Sequence, residues 1–301
     1  MMPVEPARSP APAHAAAAPV PAPTPMPDEL PSGGLALLLF GVQQPLRGLR
    51  VVLREPALRR IAALPIAFLV GLCLLVASSE TELASAVELF FTTMLSLAAV
   101  PVILFGGTYR RLAAAARAPL GLSPREPNHP TLRSGIASAI YQMILVAIGL
   151  VPVYLFVEFV AEWVGIDGLV VGLAWLLGLL WTLHWIAIEA LDNAQTHVPG
   201  MDAATEQQAI DAAGDPWFVR LYIGPLRPFG KLLRRLSRPW RRELAVLARA
   251  PVLVLGFGLG VAVLLLIPMG ALVFRPAAIV GGVHLLGRLE LAEVATAPPG
   301  A

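Results

Sequence analysis

Four apolar stretches constrain the fold of this chain more than any other feature. They cover 61–79, 89–107, 136–157 and 169–188, and none of them contains Asp, Glu, Lys or Arg. A helix of about 20 residues, with a rise of about 1.5 Å per residue, crosses the hydrocarbon core of a bilayer, which is about 30 Å thick. The sequence therefore predicts an all-α, polytopic helical membrane protein with four spans.

The overall composition agrees with this class. Hydrophobic residues make up 57% of the chain and charged residues 14%, and the mean hydropathy is +0.73. A soluble globule would need more polar side chains to cover its surface. The net charge is only +2, so no nucleic-acid partner is predicted. Cys73 is the single cysteine, which excludes a disulfide or a cysteine metal cluster within the chain, and neither a metal nor a cofactor is predicted.

A fifth apolar region, 252–287, carries Pro268, Arg275 and Pro276 near its middle. It is too short for two full crossings, because its arms before and after these residues reach only about 24 Å and about 16 Å. A partially spanning or re-entrant hairpin is predicted. A single span over 252–274 is the alternative.

Outside the apolar stretches, composition divides the chain. Residues 1–33 are rich in proline and alanine, which predicts a disordered tail, and 291–301 are predicted to be a second one. The helical membrane domain is expected over 34–290. Within it, residues 35–60 alternate apolar residues with arginines and are predicted to form an interfacial helix. The N-terminal tail lacks the pattern of a cleavable signal peptide, so the first span is expected to direct insertion.

Charges in the connections predict the orientation. Basic residues concentrate before the first span, in 108–135 and in 191–250, whereas the connections 80–88 and 158–167 carry only acidic charges. Cytoplasmic loops are enriched in Lys and Arg, so the N-terminus and 191–250 are predicted to be cytoplasmic. Lys231 is the only lysine among many arginines, which indicates a bacterium with a GC-rich genome. The predicted location is the bacterial inner membrane.

The region 191–250 is also predicted to be a basic amphipathic element that touches anionic lipid, because leucines and Trp240 alternate with arginines near its end. The lipid-facing basic residues are predicted to be Arg234, Arg235, Arg238, Arg241 and Arg242. These arginines also serve as an ordinary topology signal.

Four polar residues are predicted to contact a substrate. His184 lies in the middle of the fourth span, where a polar group is costly, and the alternative is an imidazole bonded across a helix interface. Asp192 and Asn193 lie with Glu189 on one helix face at the membrane boundary, and the alternative is a polar helix end. Arg275 offers a guanidinium to an oxyanion, and the alternative is an interface anchor at the hairpin tip.

No catalytic motif is present in the sequence, so no catalytic residue and no enzymatic activity are predicted. Two pairs of glycines, Gly168 with Gly172 and Gly256 with Gly260, have the spacing that lets two helices approach closely. Self-association into a homo-oligomer is one interpretation of these pairs. The other is that small residues are simply common in membrane helices.

The C-terminal region resembles a known family. Phe257-Gly258, Ile267-Pro268 and the run from Pro276 to Gly281-Gly282 resemble the end of the CysZ sulfate-permease and etoposide-induced membrane protein family. The motif residues are Gly258, Pro268, Pro276 and Gly281. The segments 191–193 and 48–65 resemble the same family more weakly, while the proline-rich tail and 196–249 depart from it.

The resemblance implies a bacterial inner-membrane protein whose apolar hairpins enter the bilayer only partly and whose relatives assist sulfate uptake. We therefore expect a permease-like protein for sulfate or another small anion. The alternative is a non-transporting scaffold that binds anionic lipid or a partner protein through the basic region 191–250. Acidic side chains on the outward connections disfavour anion entry, since like charges repel.

Overall fold

A computed structural model describes residues 30–97, 100–127, 132–152, 154, 155, 158, 159, 167–195, 208, 211, 214–220, 222–267 and 270–296. This part of the chain is 85% helical and contains no strand. The all-α prediction is confirmed. The tail residues 1–29 and 297–301 lie outside the described residues.

Ten helices of eight or more residues organise the described part. They are α1 (Gly34–Arg54), α2 (Pro56–Ala77), α3 (Leu83–Ser96), α4 (Val100–Arg117), α5 (Leu132–Ile148), α6 (Asp167–Ala194), α7 (Arg227–Leu236), α8 (Arg241–Arg249), α9 (Pro251–Leu266) and α10 (Gly270–Thr296). By length and hydropathy, α1, α2 and the part of α6 from Gly172 to Ala194 can each cross a membrane. A fourth crossing results if the pair Arg238–Arg249 and Pro251–Leu266, bent by 112°, counts as one broken span.

Helix α1 was expected at the membrane interface. It packs along both α9 and α10, and by length and hydropathy it can itself cross the bilayer. Its depth in the membrane stays a prediction. Gly41 lies against the backbone at Leu253, and Gly48 lies against the backbone at Ala277. Small residues on one side let helix backbones approach closely, which is how helices associate when lipid is as apolar as their side chains.

Four leucines of α1 point away from this contact, whereas Gln44 is buried in it beside His284 of α10. The buried positions of α1 are Gly41, Gln44, Pro45, Gly48 and Val52. Its exposed leucines are Leu35, Leu39, Leu46 and Leu53. A soluble amphipathic helix would bury the leucines, so the reversed order is typical of a helix whose outer side faces lipid.

The second predicted span, 89–107, is divided in the structure. Helix α3 ends at Ser96, α4 begins at Val100, and the backbone leaves helical geometry again at Phe105. Pro101 explains where α4 begins, because proline lacks an N–H and is favoured in the first turn of a helix. Both helices pack on α2, where Leu69, Cys73 and Met94 form a buried cluster.

The third predicted span, 136–157, is interrupted by a turn at Gly149 and Leu150. Two side chains from other parts of the chain satisfy the helix end. Tyr222 donates its hydroxyl to the Gly149 carbonyl at 2.5 Å, and the Trp181 indole donates to the Val146 carbonyl at 3.1 Å. The fourth predicted span, 169–188, lies within the continuous helix α6.

The C-terminal apolar region forms the predicted hairpin. Helix α9 ends at Leu266 and α10 begins at Gly270, so a single helical span over 252–274 is excluded. With 16 residues, α9 is about 24 Å long, which is shorter than the hydrocarbon core. Arg275 lies inside α10 rather than at the hairpin tip.

Helix α10 also extends further than predicted. Residues 291–296, expected in a disordered tail, continue the helix to Thr296. Two arginines hold this end, because Glu290 pairs with Arg117 at 3.2 Å and with Arg125 at 2.8 Å. The ion pairs join the end of α10 to the end of α4 and the loop that follows it.

Candidate functional site

A cavity of about 310 Å³ lies among α3, α6, α9 and α10. Its wall is mostly apolar and includes Val261, Leu265 and Phe274. Four polar residues interrupt this wall: Ser96, Glu189, Asn193 and Arg275. The cavity is therefore an apolar space with a few convergent polar groups, which is the usual character of a binding site for a small ligand.

Arg275 and Glu189 form an ion pair at the cavity wall. The Arg275 side chain is 12% exposed and that of Glu189 is 27% exposed. The guanidinium also lies over the ring of Phe274, with its carbon 5.0 Å from the ring centroid. A charge inside a helical membrane protein is costly unless it is paired, so each of these residues makes the other tolerable.

Asn193 follows Glu189 by one helical turn on α6 and faces the same cavity. Its side-chain amide donates to the backbone carbonyl of Glu189 at 2.9 Å, and the residue is 4% exposed. The bond fixes the orientation of the amide. Because residues three and four apart share a helix face, the sequence correctly placed these two side chains together.

Asp192 points to a different neighbour. Its carboxylate lies 3.8 Å from the guanidinium of Arg110 on α4. Behind this pair, Glu243 of α8 is only 2% exposed, and one of its carboxylate oxygens has no hydrogen-bond partner among the described residues. Burial, together with the nearby charge of Asp192, raises the pKa of Glu243 to about 8. These three residues form a second polar cluster outside the cavity.

His184 lies among aromatic rings. Its ring centroid is 6.0 Å from that of Trp181, 5.5 Å from that of Trp185 and 5.7 Å from that of Phe218. The residue is 4% exposed and lies outside the cavity. Of the four residues predicted to contact a substrate, the structure thus brings Arg275 and Asn193 together and places Asp192 and His184 elsewhere.

The residues of the family motif take part in helix packing. Gly258 lies against the backbone of Leu183, and Gly281 lies against the backbone of Gln44. Pro276 lies within α10, and Pro268 is outside the described residues. None of the three described motif residues lines the cavity.

The second glycine pair is used within the chain. Gly256 and Gly260 contact the backbone of α1 at Leu38 and Val42. Close approach of two helices was the physical expectation for this spacing, and α1 fulfils it. Self-association of the chain remains a prediction that rests on the first pair, Gly168 with Gly172, and an added Cβ at Gly172 would meet no atom within 4 Å.

The five arginines predicted to face lipid divide into two groups. Arg234 pairs with Asp215 at 3.2 Å, and Arg241 lies 3.9 Å from Asp211. The charge of Arg242 acts on the carboxyls of Asp192 and Glu243. Arg235 and Arg238 are exposed. Protein carboxylates thus act on three of the five, which the sequence could not reveal because the partners lie on other elements.

Glu189 and Ser96 line the cavity but were not among the residues predicted to contact a substrate. The spacing of Glu189 and Asn193 was a usable signal, because it predicted a shared face. The pairing of Glu189 with Arg275 had no local signal. Ser96 was hidden inside a stretch predicted to be one continuous span.

No group of three or more His, Cys, Asp and Glu side chains in the described part of the chain is arranged to hold a metal ion. A scan against protein-family models found no match, and a search of curated proteins found no match either. The resemblance to the CysZ family therefore remains a prediction that rests on the residues of its motif.

Proposed function

We propose that the protein is a permease-like protein for small anions, with sulfate as the first substrate to test. The membrane would be a bacterial inner membrane, with the N-terminus in the cytoplasm, as the charge distribution predicts. The observation that carries the proposal is the ion pair of Arg275 and Glu189 at the wall of a cavity between membrane helices.

The chemistry of Arg275 favours an oxyanion ligand. A guanidinium presents several N–H donors in a planar fork that matches two oxygens of one anion. In this protein a carboxylate already occupies that position. An incoming oxyanion can replace Glu189 as the partner of Arg275 and keep the guanidinium charge compensated.

The surroundings of the pair suit a small solute. At about 310 Å³, the cavity is at the lower end of the range for ligand sites, which is about 300–1,000 Å³. Ser96 and Asn193 add side-chain groups that can donate hydrogen bonds. Ser96 also ends a helix that is broken inside an apolar stretch, and broken helices contribute to substrate sites in many transporters.

Glu189 acts as a competitor for the anion in this mechanism. When it is ionised, it neutralises Arg275 and repels an anion that enters the cavity. Replacing it by glutamine removes the charge but keeps the size of the side chain. We therefore expect Glu189→Gln to bind sulfate more tightly and to lower the concentration at which uptake is half-maximal. Because this variant leaves Arg275 without its carboxylate, it is purified with sulfate present, which supplies the missing negative charge.

The test is uptake of radiolabelled sulfate into proteoliposomes that contain the full chain. Arg275→Gln alone leaves the charge of Glu189 unpaired, and breaking a buried ion pair costs about 3–5 kcal/mol, so a loss of uptake in this variant would not distinguish transport from folding. The double variant Arg275→Gln with Glu189→Gln avoids this by leaving two neutral side chains of similar size. We expect it to fold and to lose uptake.

The matched control is Arg234→Gln with Asp215→Asn, which likewise removes both partners of an ion pair, at a place outside the cavity. It should transport as well as the unaltered chain. The proposal fails if the unaltered chain gives no uptake above empty liposomes for sulfate or competing oxyanions. It also fails if the folded double variant of Arg275 and Glu189 transports normally.

A further inference from the structure

One face of the segment 222–238 combines exposed basic and exposed apolar side chains. We propose that this face docks on anionic lipid headgroups of the bilayer that the spans cross. It consists of Ile223, Leu226, Arg227, Lys231, Leu232, Arg235 and Arg238, and we call it the docking face. The proposal does not depend on transport.

The basic residues of the docking face lack the carboxylate partners that neighbouring arginines have among the described residues. Arg234 and Arg241 have carboxylates within 4.0 Å, and both of those carboxylates belong to this chain. No carboxylate of the described residues forms such a pair with Arg227, Lys231, Arg235 or Arg238. Four positive charges at one surface thus lack a negative counterpart in the described part of the protein.

Helical geometry groups three of these charges. Arg227, Lys231 and Arg235 are four residues apart, so they follow one another along a single side of α7. Leu233 is buried on the opposite side, and Gly230 is buried at the edge of the stripe. The charges therefore form a continuous stripe that points away from the protein.

Apolar side chains flank the stripe. Ile223 is 72% exposed, Leu226 is 41% exposed and Leu232 is 42% exposed. Water disfavours such side chains, whereas the boundary between headgroups and acyl chains accepts them beside basic residues. An acidic protein would satisfy the charges as well, but the apolar flank favours the lipid surface.

Buried contacts hold this segment to the membrane helices. Tyr222 bonds to the end of α5 through the Gly149 carbonyl. Trp240, which is 1% exposed, packs on Trp185 of α6 with ring centroids 5.6 Å apart. These contacts keep the docking face beside helices that contact lipid.

The direction of the chain after α7 is consistent with a location at the membrane surface. The segment Arg238–Arg249 and helix α9 meet at an angle of 112°. Helix α9 is apolar throughout and exposes Leu259 and Val263, so it is suited to extend into the bilayer. Helix α8 runs at a large angle to the axis of α9 and therefore does not continue in that direction. Helix α7 precedes this turn by only a short 3₁₀ helix, Arg238–Trp240.

The test places a fluorophore on the docking face of the full chain. Cys73 is the single cysteine and is buried, so Cys73→Ser with Ile223→Cys gives one accessible thiol for an environment-sensitive label. The protein is placed in nanodiscs of phosphatidylcholine, with or without phosphatidylglycerol, and quenching by doxyl-labelled lipid is measured. The reference label is at Ala118→Cys, an exposed position after α4.

We expect the label at position 223 to be quenched in anionic discs more than in neutral ones, and more than the label at position 118. Raising the salt from about 0.1 M to about 1 M shortens the Debye length from about 10 Å to about 3 Å and should weaken the quenching. Each charge near an anionic surface contributes about fivefold, so Lys231→Gln with Arg235→Gln should lower the ratio of docked to undocked protein about 25-fold.

The control is Arg234→Gln with Asp215→Asn, which removes an arginine together with the carboxylate beside it and so leaves the net charge unchanged. It should leave quenching almost unchanged. The proposal is wrong if the label at position 223 remains in water in anionic discs, which would leave the face to a protein partner. It is also wrong if both double variants reduce quenching equally. Sulfate uptake is measured separately, so either proposal can fail without the other.

Discussion

The contact between α1 and α10 allows a strict test of the fold at a single atom. A Cβ added to Gly48 would lie closer to the Ala277 carbonyl oxygen and the Gly281 amide nitrogen than real Cβ atoms approach such neighbours. Both neighbours are backbone atoms, so they cannot move aside by rotating a side chain. Gly48→Ala should therefore destabilise the protein.

The size of the effect follows from two opposing terms. Overpacking a tight contact costs about 1–3 kcal/mol, and the upper value applies here because backbone meets backbone. Alanine in place of glycine gains about 1 kcal/mol in a helix. The free energy of unfolding should thus fall by about 2 kcal/mol.

Gly71 on α2 provides the matched control, because an added Cβ there would meet no atom within 4 Å. Only the helix term remains, so Gly71→Ala should raise the free energy of unfolding by about 1 kcal/mol. The same substitution in two helices is then expected to act in opposite directions, with a difference of about 3 kcal/mol.

The assay is equilibrium unfolding in mixed micelles with increasing sodium dodecyl sulfate. Trp181, Trp185 and Trp240 are buried, so their fluorescence reports the loss of tertiary structure, and circular dichroism reports the helices. If Gly48→Ala is as stable as Gly71→Ala, α1 does not pack on α10 as described. The packing of α1 into the helical bundle would then be refuted.

Three further substitutions test other contacts. Glu243→Gln should stabilise the chain, and the gain should grow from about pH 5 to about pH 8. In this range the Glu243 carboxyl is ionised in the unfolded chain but protonated in the folded one, because folding raises its pKa, and this difference lowers the stability of the unaltered protein. Melting midpoints of both proteins across the range measure the gain. Glu290→Ala removes the carboxylate beside buried Arg117 and should lower the free energy of unfolding by about 1–2 kcal/mol, a value reduced because Glu290 is partly exposed. Glu126→Ala, at an exposed residue, should change the stability little. Tyr222→Phe loses the hydrogen bond to the Gly149 carbonyl and should cost at least about 1 kcal/mol of stability, whereas Tyr141→Phe, at an exposed residue, should be neutral. The assigned contacts would be contradicted if Glu290→Ala and Glu126→Ala, or the two tyrosine variants, had equal effects.

The fold class was predictable because hydropathy and helix length act locally. Two predicted spans, 61–79 and 169–188, correspond to the continuous helices α2 and α6. Proline at the first position fixes the beginning of α2 without help from the rest of the chain.

The helix breaks were not predictable from apolar content. Residues on both sides of the turn at Gly149 are equally apolar, so a hydropathy pattern continues across it. What completes the helix end is the Tyr222 hydroxyl, which comes from a distant part of the sequence. A tertiary hydrogen bond of this kind has no counterpart in the local pattern.

Helix α1 shows how one pattern can support two structures. Apolar residues with interspersed arginines are typical of an interfacial helix. That prediction was based on the large side chains alone. The small residues carried the decisive signal. Gly41 and Gly48 are seven residues apart on one side of the helix and mark the face where two other helices approach.

The candidate site combines a predictable and an unpredictable part. Helical spacing placed Glu189 and Asn193 on one face of α6. Asp192 is one residue before Asn193, so its side chain points about 100° away from that of Asn193 and lies near Arg110 of α4. No spacing rule joins Glu189 to Arg275. Arg275, Arg110 and Arg117 each face a carboxylate from another helix, and of these pairs only Arg275 with Glu189 lines the cavity. In the proposed function an anion takes the place of Glu189 at that pair, whereas the other two pairs lie outside the cavity.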